Sequence, residues 1–504
     1  MKFRLQYLRA IAALLVVIWH ASYHLWAVRG DNTLLAKTPG LSGAFGVTLF
    51  FVISGYLMAT LAVRSSPGQF LIHRAIRIYP IYWMVLFIVF AINVALGFGF
   101  SIDPLALALM PGAGRNYTLG VEWTLPFELS FYFVVFVVML VRATRFIPLI
   151  GILWAAIIIV SLPLMPGLQQ GQFPRLSHLL ISEWTLPFAL GLLIPAAIKR
   201  GFTSTISLPV GIVLVAFALY AQSYANYILP FACLCLVHWS VVPRGKDDAK
   251  NEIRPLTRLG DWSYALYLCH VPIMMWFFRL APASWSNVAL YCLVVLLSLG
   301  ACAVLGSIDL AMYRRLKHWV DTRRPAPTAA MGASFAMLLA CYGGFSEVQA
   351  WRSGGLTMRA DALGHQMETA KPQTQAEFDA ASTRVSLSTD ASLHGFVDSV
   401  TCEPDGSVQV HGWAADSTTG SSGIAVLVFG DGRFWGSTVP SIERSDVMKV
   451  LKLHALFQTP GFAATFNPRS CDGRCPRFTS MAVKGNSYAL LPSNEANGAS
   501  CVTR

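Results

Sequence analysis

Apolar runs long enough to cross a bilayer alternate with short polar segments over roughly the first 346 residues. Runs at 8–28, 42–63, 79–98, 124–141, 147–165, 178–196, 206–222, 226–243, 262–281, 286–310 and 327–346 predict eleven helical spans. The reason is length: about 20 apolar residues rising 1.5 Å each match a hydrocarbon layer of about 30 Å. Beyond them the pattern changes twice. Residues 347–394 are polar, rich in Ala, Ser, Thr and Gln, and read as a linker with a helix near 372–383. From 395 onward, short β-branched runs are separated by Asp-Gly turns, as in GIAVLVFGDGRFWGST, which predicts antiparallel hairpins and a small sandwich. The expected fold is an all-α polytopic membrane bundle of about 11 transmembrane helices, followed by a small extracytoplasmic all-β, sandwich-like domain. The expected divisions are 1–320 (ten spans), 327–346 (the eleventh), 347–394 (linker) and 395–504 (β-rich).

Composition agrees with a membrane protein. Of 504 residues, 55% are hydrophobic and 13% charged, about half the charged share of an ordinary soluble domain. The net charge of +12 is not a nucleic-acid signature, because the basic residues cluster in short loops between apolar runs. With the N-terminus inside, the inner segments hold twenty Lys and Arg, the outer loops five and the tail 13. That bias orients the bundle and, with an odd number of spans, places the C-terminal region outside. No cleavable signal peptide is expected, since the first apolar run is long and no small-residue site closes it. Six of the ten cysteines lie in apolar runs. Cys402, Cys471, Cys475 and Cys501 lie in the polar tail and permit two disulfides by three connectivities, given an oxidising compartment. Cys471 and Cys475 also have the spacing of half a zinc site, but no partner pair has suitable spacing, so no metal is expected.

The chemistry-bearing positions stand out against this apolar background. Arg9 and His20 lie eleven residues apart on the first span. Eleven steps of about 100° make roughly three turns, so both occupy one helix face, with His20 about 16 Å deeper. An ionisable group at that depth is either packed inside a bundle with a partner or functional, and the spacing alone does not separate the two. His270 lies eight residues into an outward-running span. Glu128 enters from the other side, a little over one turn deep. These depths allow His20, His270 and Glu128 to meet in the middle or outer half of the layer, as a carboxylate orienting a histidine base. A six-residue repeat, Glu122-Trp-Thr-Leu-Pro-Phe127 and Glu183-Trp-Thr-Leu-Pro-Phe188, is followed by Glu128 in one copy and Ala189 in the other. That difference singles out Glu128. Arg74 and Arg77, three apart at a helix start, would form a cationic mouth with Arg9, or simply anchor the helix on the inner side. In the second span small residues, Ser54 and Gly55 among them, sit amid aromatics and allow close helix approach. Exposed Trp413 and Trp435 would either bind sugar or fill the core of the C-terminal domain.

Taken in order, RAIAALLVVIWH (9–20), GVTLFFVISGYL (46–57), RAIRIYPIYW (74–83), WTLPFELSFYF (123–133) and LGDWSYALYLCHVPI (259–273) resemble the motifs of the membrane acyltransferase 3 family of bacterial O-acyltransferases, over roughly residues 3–315. The resemblance implies transfer of an acyl group, often acetyl, from cytoplasmic acyl-coenzyme A to a hydroxyl of an extracytoplasmic glycan. It implies His20 as base or acyl relay, with Glu128 its catalytic companion. Arg9, Arg74 and Arg77 then line the donor site, and Trp123, Ser54, Gly55, Tyr267 and His270 bind substrate. The implied setting is the bacterial inner membrane, with the C-terminal domain periplasmic. The implied partners are the lipid bilayer, acyl-CoA as co-substrate and a glycan acceptor, without nucleic acid or a permanently bound cofactor. Some members end in an esterase-like domain with a Gly-Asp-Ser nucleophile. Here the nearest string is Phe429-Gly-Asp-Gly432, so no catalytic role is expected of the C-terminal domain. A transporter or glycan-binding protein using the same buried groups is the other class; inverted repeats with broken spans would favour it, and the one repeat is parallel.

Overall fold

The computed structural model describes residues 3–98, 104–110, 118–161, 179–202, 204–243, 252–322, 325–372, 374–402, 407–418, 420–421, 423–442, 444–451, 460–466 and 478–493. The chain divides into two compact units, one of Met1–Pro111 with Tyr117–Gly343 and one of Gly112–Asn116 with Gly344–Arg504.

The first unit is helical. Its elements are α1 (Phe3–Arg29), α2 (Thr33–Lys37), α3 (Ser42–Ala62), α4 (Pro67–Ala95), α5 (Pro104–Leu107), α6 (Thr124–Leu140), α7 (Ile147–Ser161), α8 (Leu186–Gly191), α9 (Ile194–Lys199), α10 (Ser204–Tyr220), α11 (Ala225–Val241), α12 (Arg254–Leu280) and α13 (Asn287–Asp321); α14 (Pro325–Glu368) begins in it. Eleven spans are expected from hydropathy. Among the described residues, five helical segments are long and apolar enough to cross a membrane: Phe3–Arg29, Ser42–Ala62, Pro67–Ala95, Thr144–Ser161 and Asn287–Asp321. Thr124–Leu140, Leu186–Lys199, Thr205–Tyr220, Ala225–Val241 and Ala329–Phe345 are apolar but shorter. The expected sixth span is broken between Gly191 and Ile194, with prolines in the first turn of both halves. Helix α12 is long but belongs to neither group, because one of its faces is polar.

Close packing depends on a few small residues. Without a water-driven force between helices in lipid, association rests on backbone approach and polar contacts. A Cβ at Gly55 of α3 would lie 2.2 Å from the Phe188 carbonyl oxygen and 3.0 Å from the Gly191 Cα, so α3 and α8 touch backbone to backbone there. At Gly260 of α12 a Cβ would meet the Gln6 carbonyl oxygen of α1 at 2.2 Å.

The second unit holds strands β1 (Ser388–Thr389), β2 (Leu393–Cys402), β3 (Val408–Asp416), β4 (Ile424–Gly430), β5 (Arg433–Thr438), β6 (Gly461–Phe466), β7 (Phe478–Lys484) and β8 (Ser487–Leu491), with helices α15 (Gln375–Arg384) and α16 (Ser445–Val450). They form a five-stranded sheet, β1-β8-β7-β4-β5, and a three-stranded sheet, β2-β3-β6. Both sheets face one core containing Val408, Val410, Val426, Val428, Phe462 and Ala482, which is a sandwich. It is not all-β, however. The other face of the larger sheet, with Leu427, Phe429, Met481 and Val483, is covered by Ala360 and Met367 of α14 and Phe378 and Ala381 of α15. Where a linker is expected over 347–394, the chain is therefore largely helix. Strand β4 shows why: Ile424 to Gly430 is buried at every position, as a strand covered on both sides must be. The β4–β5 connection passes through Asp431 and Gly432, both at positive φ (49° and 71°), the two-residue hairpin turn that Asp-Gly favours. Phe429-Gly-Asp-Gly432 is thus a turn. Trp435 packs on the core and Trp413 is half-buried on β3. Cys471, Cys475, Cys501 and the Cys402 side chain lie outside the described residues.

The substitution Gly55→Ala is expected to destabilise the bundle by about 1–3 kcal/mol through overpacking. Thermal unfolding of the detergent-solubilised protein measures it, and an unchanged midpoint would show that α3 and α8 do not meet as described.

Candidate active site

The site is built on α12, whose polar residues recur at helical spacing. Ser263, Tyr264, Tyr267 and His270 share one face, turned toward α1, α4 and α6. The Tyr264 hydroxyl donates to the Ile78 carbonyl of α4 at 3.2 Å. The Tyr267 hydroxyl donates to the Val121 carbonyl and lies 2.6 Å from Thr124 Oγ1, the first residue of α6. His270 reaches His20 on α1.

Below this face lies a cavity of about 500 Å³ lined by Arg9, Arg64, Arg74, Arg77, Ser54, Glu128, Tyr132, Asp261, Ser263, Tyr264, Tyr267 and Tyr313, together with apolar residues of α3, α4, α6 and α13. Four guanidinium groups against two lining carboxylates make it cationic. One arginine is pinned. Arg77 Nη1 donates to Asp309 Oδ2 at 2.6 Å, and Asp309 is 2% exposed. The same guanidinium lies 5.3 Å and 5.6 Å from the ring centres of Tyr264 and Tyr313, so aromatic faces supply attraction that water cannot. Arg9 Nη1 donates to Gln6 Oε1 at 3.1 Å, and Gln6 Nε2 donates to Asp261 Oδ1 at 2.7 Å. Arg74 lies 6.0 Å from the Tyr132 ring centre, and its buried Nε meets no hydrogen-bond partner. Ser54 Oγ and Ser263 Oγ are likewise buried without a partner. Buried polar atoms are rarely left so, and here three of them belong to residues lining one cavity.

The histidines stand apart from this cavity wall. His20 Nδ1 lies 2.9 Å from the Val16 carbonyl oxygen and 3.3 Å from His270 Nε2. His270 is fully buried, and its Nδ1 lies 3.0 Å from the Leu266 carbonyl oxygen. The His24 ring stacks beyond His20 at 5.9 Å. Tyr267 joins the two regions: it lines the cavity, and its ring centre is 6.1 Å from that of His270.

Of the three groups expected to converge, the structure brings His20 and His270 together and leaves Glu128 elsewhere. Glu128 accepts a hydrogen bond from the Tyr132 hydroxyl one turn on and faces the arginines. It makes no hydrogen bond to either histidine. Depth along the membrane normal carries no azimuth, and α6 turns Glu128 toward the arginines of α4. Other expectations are also relocated. His270 has both ring nitrogens engaged by protein, which leaves none for a substrate. Gly55 faces α8 rather than the cavity, whereas Ser54 lines it. Trp123 sits at the start of α6 and packs edge to face on Trp184 at 5.2 Å, so the two repeat copies meet in space as a packing motif. Arg9, Arg74 and Arg77 do gather.

Asp309, Asp261, Gln6, Tyr132 and Tyr264 were not anticipated. Asp309 had a signal, being the one charged residue of the apolar run 286–310, and an intramembrane carboxylate marks a site by default. Tyr132 stands four residues after Glu128, the spacing of a helical pair. Glu122 opens the first copy of the repeat. It is 0% exposed, Oε1 accepts from the Leu119 N–H at 2.7 Å, and Oε2 has no partner.

A helical bundle with buried cations, carboxylates and a histidine pair marks a functional site rather than a passive anchor. The sequence profile described as "Acyltransferase domain" matches residues 3–307. The chain belongs to this acyltransferase 3 family and is an acyl-transferring enzyme of the membrane. Among curated proteins it is similar to the "Exopolysaccharide production protein ExoZ" of Rhizobium meliloti (strain 1021), 28% identical over 45% of this chain and 75% of ExoZ. BcsY of Komagataeibacter xylinus, named as a candidate membrane-bound transacylase, is 26% identical over 69% of this chain and 90% of its own. The "Acyltransferase MdmB" of Streptomyces mycarofaciens is 25% identical over 64% and 93%. No solved structure matches the chain significantly.

Removing one partner of the buried pair, as in Asp309→Ala, is expected to cost about 3–5 kcal/mol, because Arg77 is left uncompensated. The double variant Arg77→Met/Asp309→Leu is expected to be more stable than the sum of its singles. Unfolding in detergent checks this cycle, and additive losses would show that the pair is not coupled.

Proposed function

We propose that this enzyme moves an acyl group, acetyl in the simplest case, from cytoplasmic acyl-coenzyme A to a hydroxyl of an extracytoplasmic or envelope polysaccharide. One observation carries the reading: four arginines and three partnerless buried polar atoms surround one cavity, beside a histidine pair whose His20 shares helix α1 with Arg9. Coenzyme A is a polyanion on a long amide-bearing arm. Arg9, Arg64 and Arg74 suit its phosphates, with Arg77 held in place by Asp309. Ser54 and Ser263 suit the amides of its arm. The acceptor as a polysaccharide is supported by the naming of ExoZ as an exopolysaccharide production protein, and the orientation by the excess of basic residues in the predicted inner loops.

In the proposed step His20 takes the proton of the acceptor hydroxyl, and the oxygen attacks the thioester carbonyl. The carbon–sulfur bond breaks, and the proton passes to the departing thiolate, giving ester and free coenzyme A. A histidine in this role is worth about 10²–10⁴ in rate. Glu128, tied to Tyr132 among the arginines, balances charge at the donor site rather than orienting His20. In this reading the enzyme lies in the inner membrane with its N-terminus cytoplasmic and its C-terminal domain periplasmic, where the tail cysteines can pair.

Radiolabelled acetyl-CoA supplied to the cytoplasmic face of sealed vesicles is expected to label polysaccharide with the wild-type enzyme and not with His20→Ala at equal expression. Undiminished labelling by His20→Ala would overturn the role of His20. No transfer by the wild-type enzyme would overturn the donor or the acceptor class. Arg74→Gln is expected to raise KM for acetyl-CoA by about tenfold or more, the worth of one hydrogen bond to a charged group; an unchanged KM would remove Arg74 from the donor site.

A further inference from the structure

Three short contacts around the two histidines fix more than their proximity. His270 Nδ1 faces the Leu266 carbonyl oxygen at 3.0 Å. His20 Nδ1 faces the Val16 carbonyl oxygen at 2.9 Å and His270 Nε2 at 3.3 Å. A carbonyl oxygen only accepts, so a ring nitrogen set against one must carry hydrogen. That places the proton on Nδ1 of both rings. In two neutral rings, Nε2 of His270 is then a lone pair, and it takes the second branch of the His20 Nδ1–H. The opposite assignment, with His270 Nε2 donating, would turn ring lone pairs against both carbonyl oxygens. Only one pairing of tautomers satisfies all three contacts, and it leaves His20 Nε2 as the single uncommitted nitrogen of the pair.

We propose that His270 is a positioning residue that holds His20 in the Nδ1–H tautomer, making Nε2 the atom that receives the acceptor's proton. The inference deepens the acyl-transfer reading and rests on it for the identity of that proton. The hydroxyl proton moves to His20 Nε2 as the oxygen bonds to the acyl carbon. The thiolate that leaves takes the same proton back. Between those events His20 carries a proton on both nitrogens, and its Nδ1–H bond to His270 Nε2 becomes charge-assisted and stronger. His270 thus favours the protonated moment over the resting state, which is the condition for accelerating chemistry rather than binding. His270 cannot serve the substrate directly, since it is fully buried and both its nitrogens are occupied.

The test uses full-length enzyme labelled with ¹⁵N-histidine in lipid nanodiscs, with the His20 signals assigned from the spectrum lost in His20→Gln. The wild-type enzyme is expected to show His20 with Nδ1 protonated and Nε2 bare. His270→Phe, which fills the same space without an acceptor, is expected to shift that population toward Nε2–H. It is also expected to lower kcat about tenfold, one hydrogen bond's worth, at unchanged KM for acetyl-CoA. His270→Gln, whose carbonyl oxygen can accept from Nδ1–H, is expected to restore part of the loss. A wild-type His20 protonated on Nε2 overturns the proposal without any variant, as does a His270→Phe enzyme with the wild-type tautomer. The two readings fail separately: the expected tautomer with a fully active His20→Ala enzyme would retain the hydrogen-bond arrangement and discard the catalytic role.

Discussion

In an apolar surround a polar side chain finds its partner in protein or not at all, and helices α1 and α12 meet under that constraint. At one end Gln6 bonds Asp261, and the backbone of Gln6 presses on Gly260 so closely that no side chain fits between them. Further along, His20 bonds His270. Two polar contacts and one glycine therefore set both the separation and the register of the pair. Arg9 and His20 occupy one face of α1, so fixing that register fixes where both stand. A second polar tie, Arg77 to Asp309, does the same for α4 and α13. The positions of the cationic groups and of the histidines follow from these ties rather than from apolar packing, which in lipid discriminates weakly between registers.

The result is a site in two adjoining parts. One is a cation-lined cavity whose arginines are held by an amide, a carboxylate and aromatic faces. The other is a histidine pair with its nitrogens largely committed to backbone and to each other. Tyr267 borders both, anchored by Thr124 and the Val121 carbonyl. Separating charge from base has a chemical logic. A guanidinium beside His20 would disfavour the protonated imidazole needed during proton transfer, whereas here the arginines are gathered around Glu128 and Tyr132.

Much of this was legible in the chain. Hydropathy located most of the helices of the first unit, and the spacing of Arg9 and His20 anticipated their shared face. The tight Asp-Gly turn at Asp431–Gly432 was readable, and so was the sandwich. What escaped has physical reasons. Depth counting along α6 carries no direction, so it could not show that Glu128 turns to Tyr132 and the arginines. The stretch 347–394 reads as linker because its apolar residues are sparse, yet Ala360, Met367, Phe378 and Ala381 are enough to cover a sheet whose interior strand β4 is apolar at every position. Asp309 was in plain view in an otherwise uncharged run, and its partner could be known only from three dimensions.

The central claim is that the arginine cavity, and not the lipid-facing surface, receives the acyl donor. Photo-crosslinking with a diazirine-bearing acyl-CoA, followed by peptide mapping of the full-length enzyme in nanodiscs, tests it most directly. Labels are predicted from Ser54 on α3 to Arg64 just beyond it, and on α4 around Arg74 to Ile78, suppressed by unlabelled acetyl-CoA. Labels confined to other helices, or unaffected by the competitor, would contradict it.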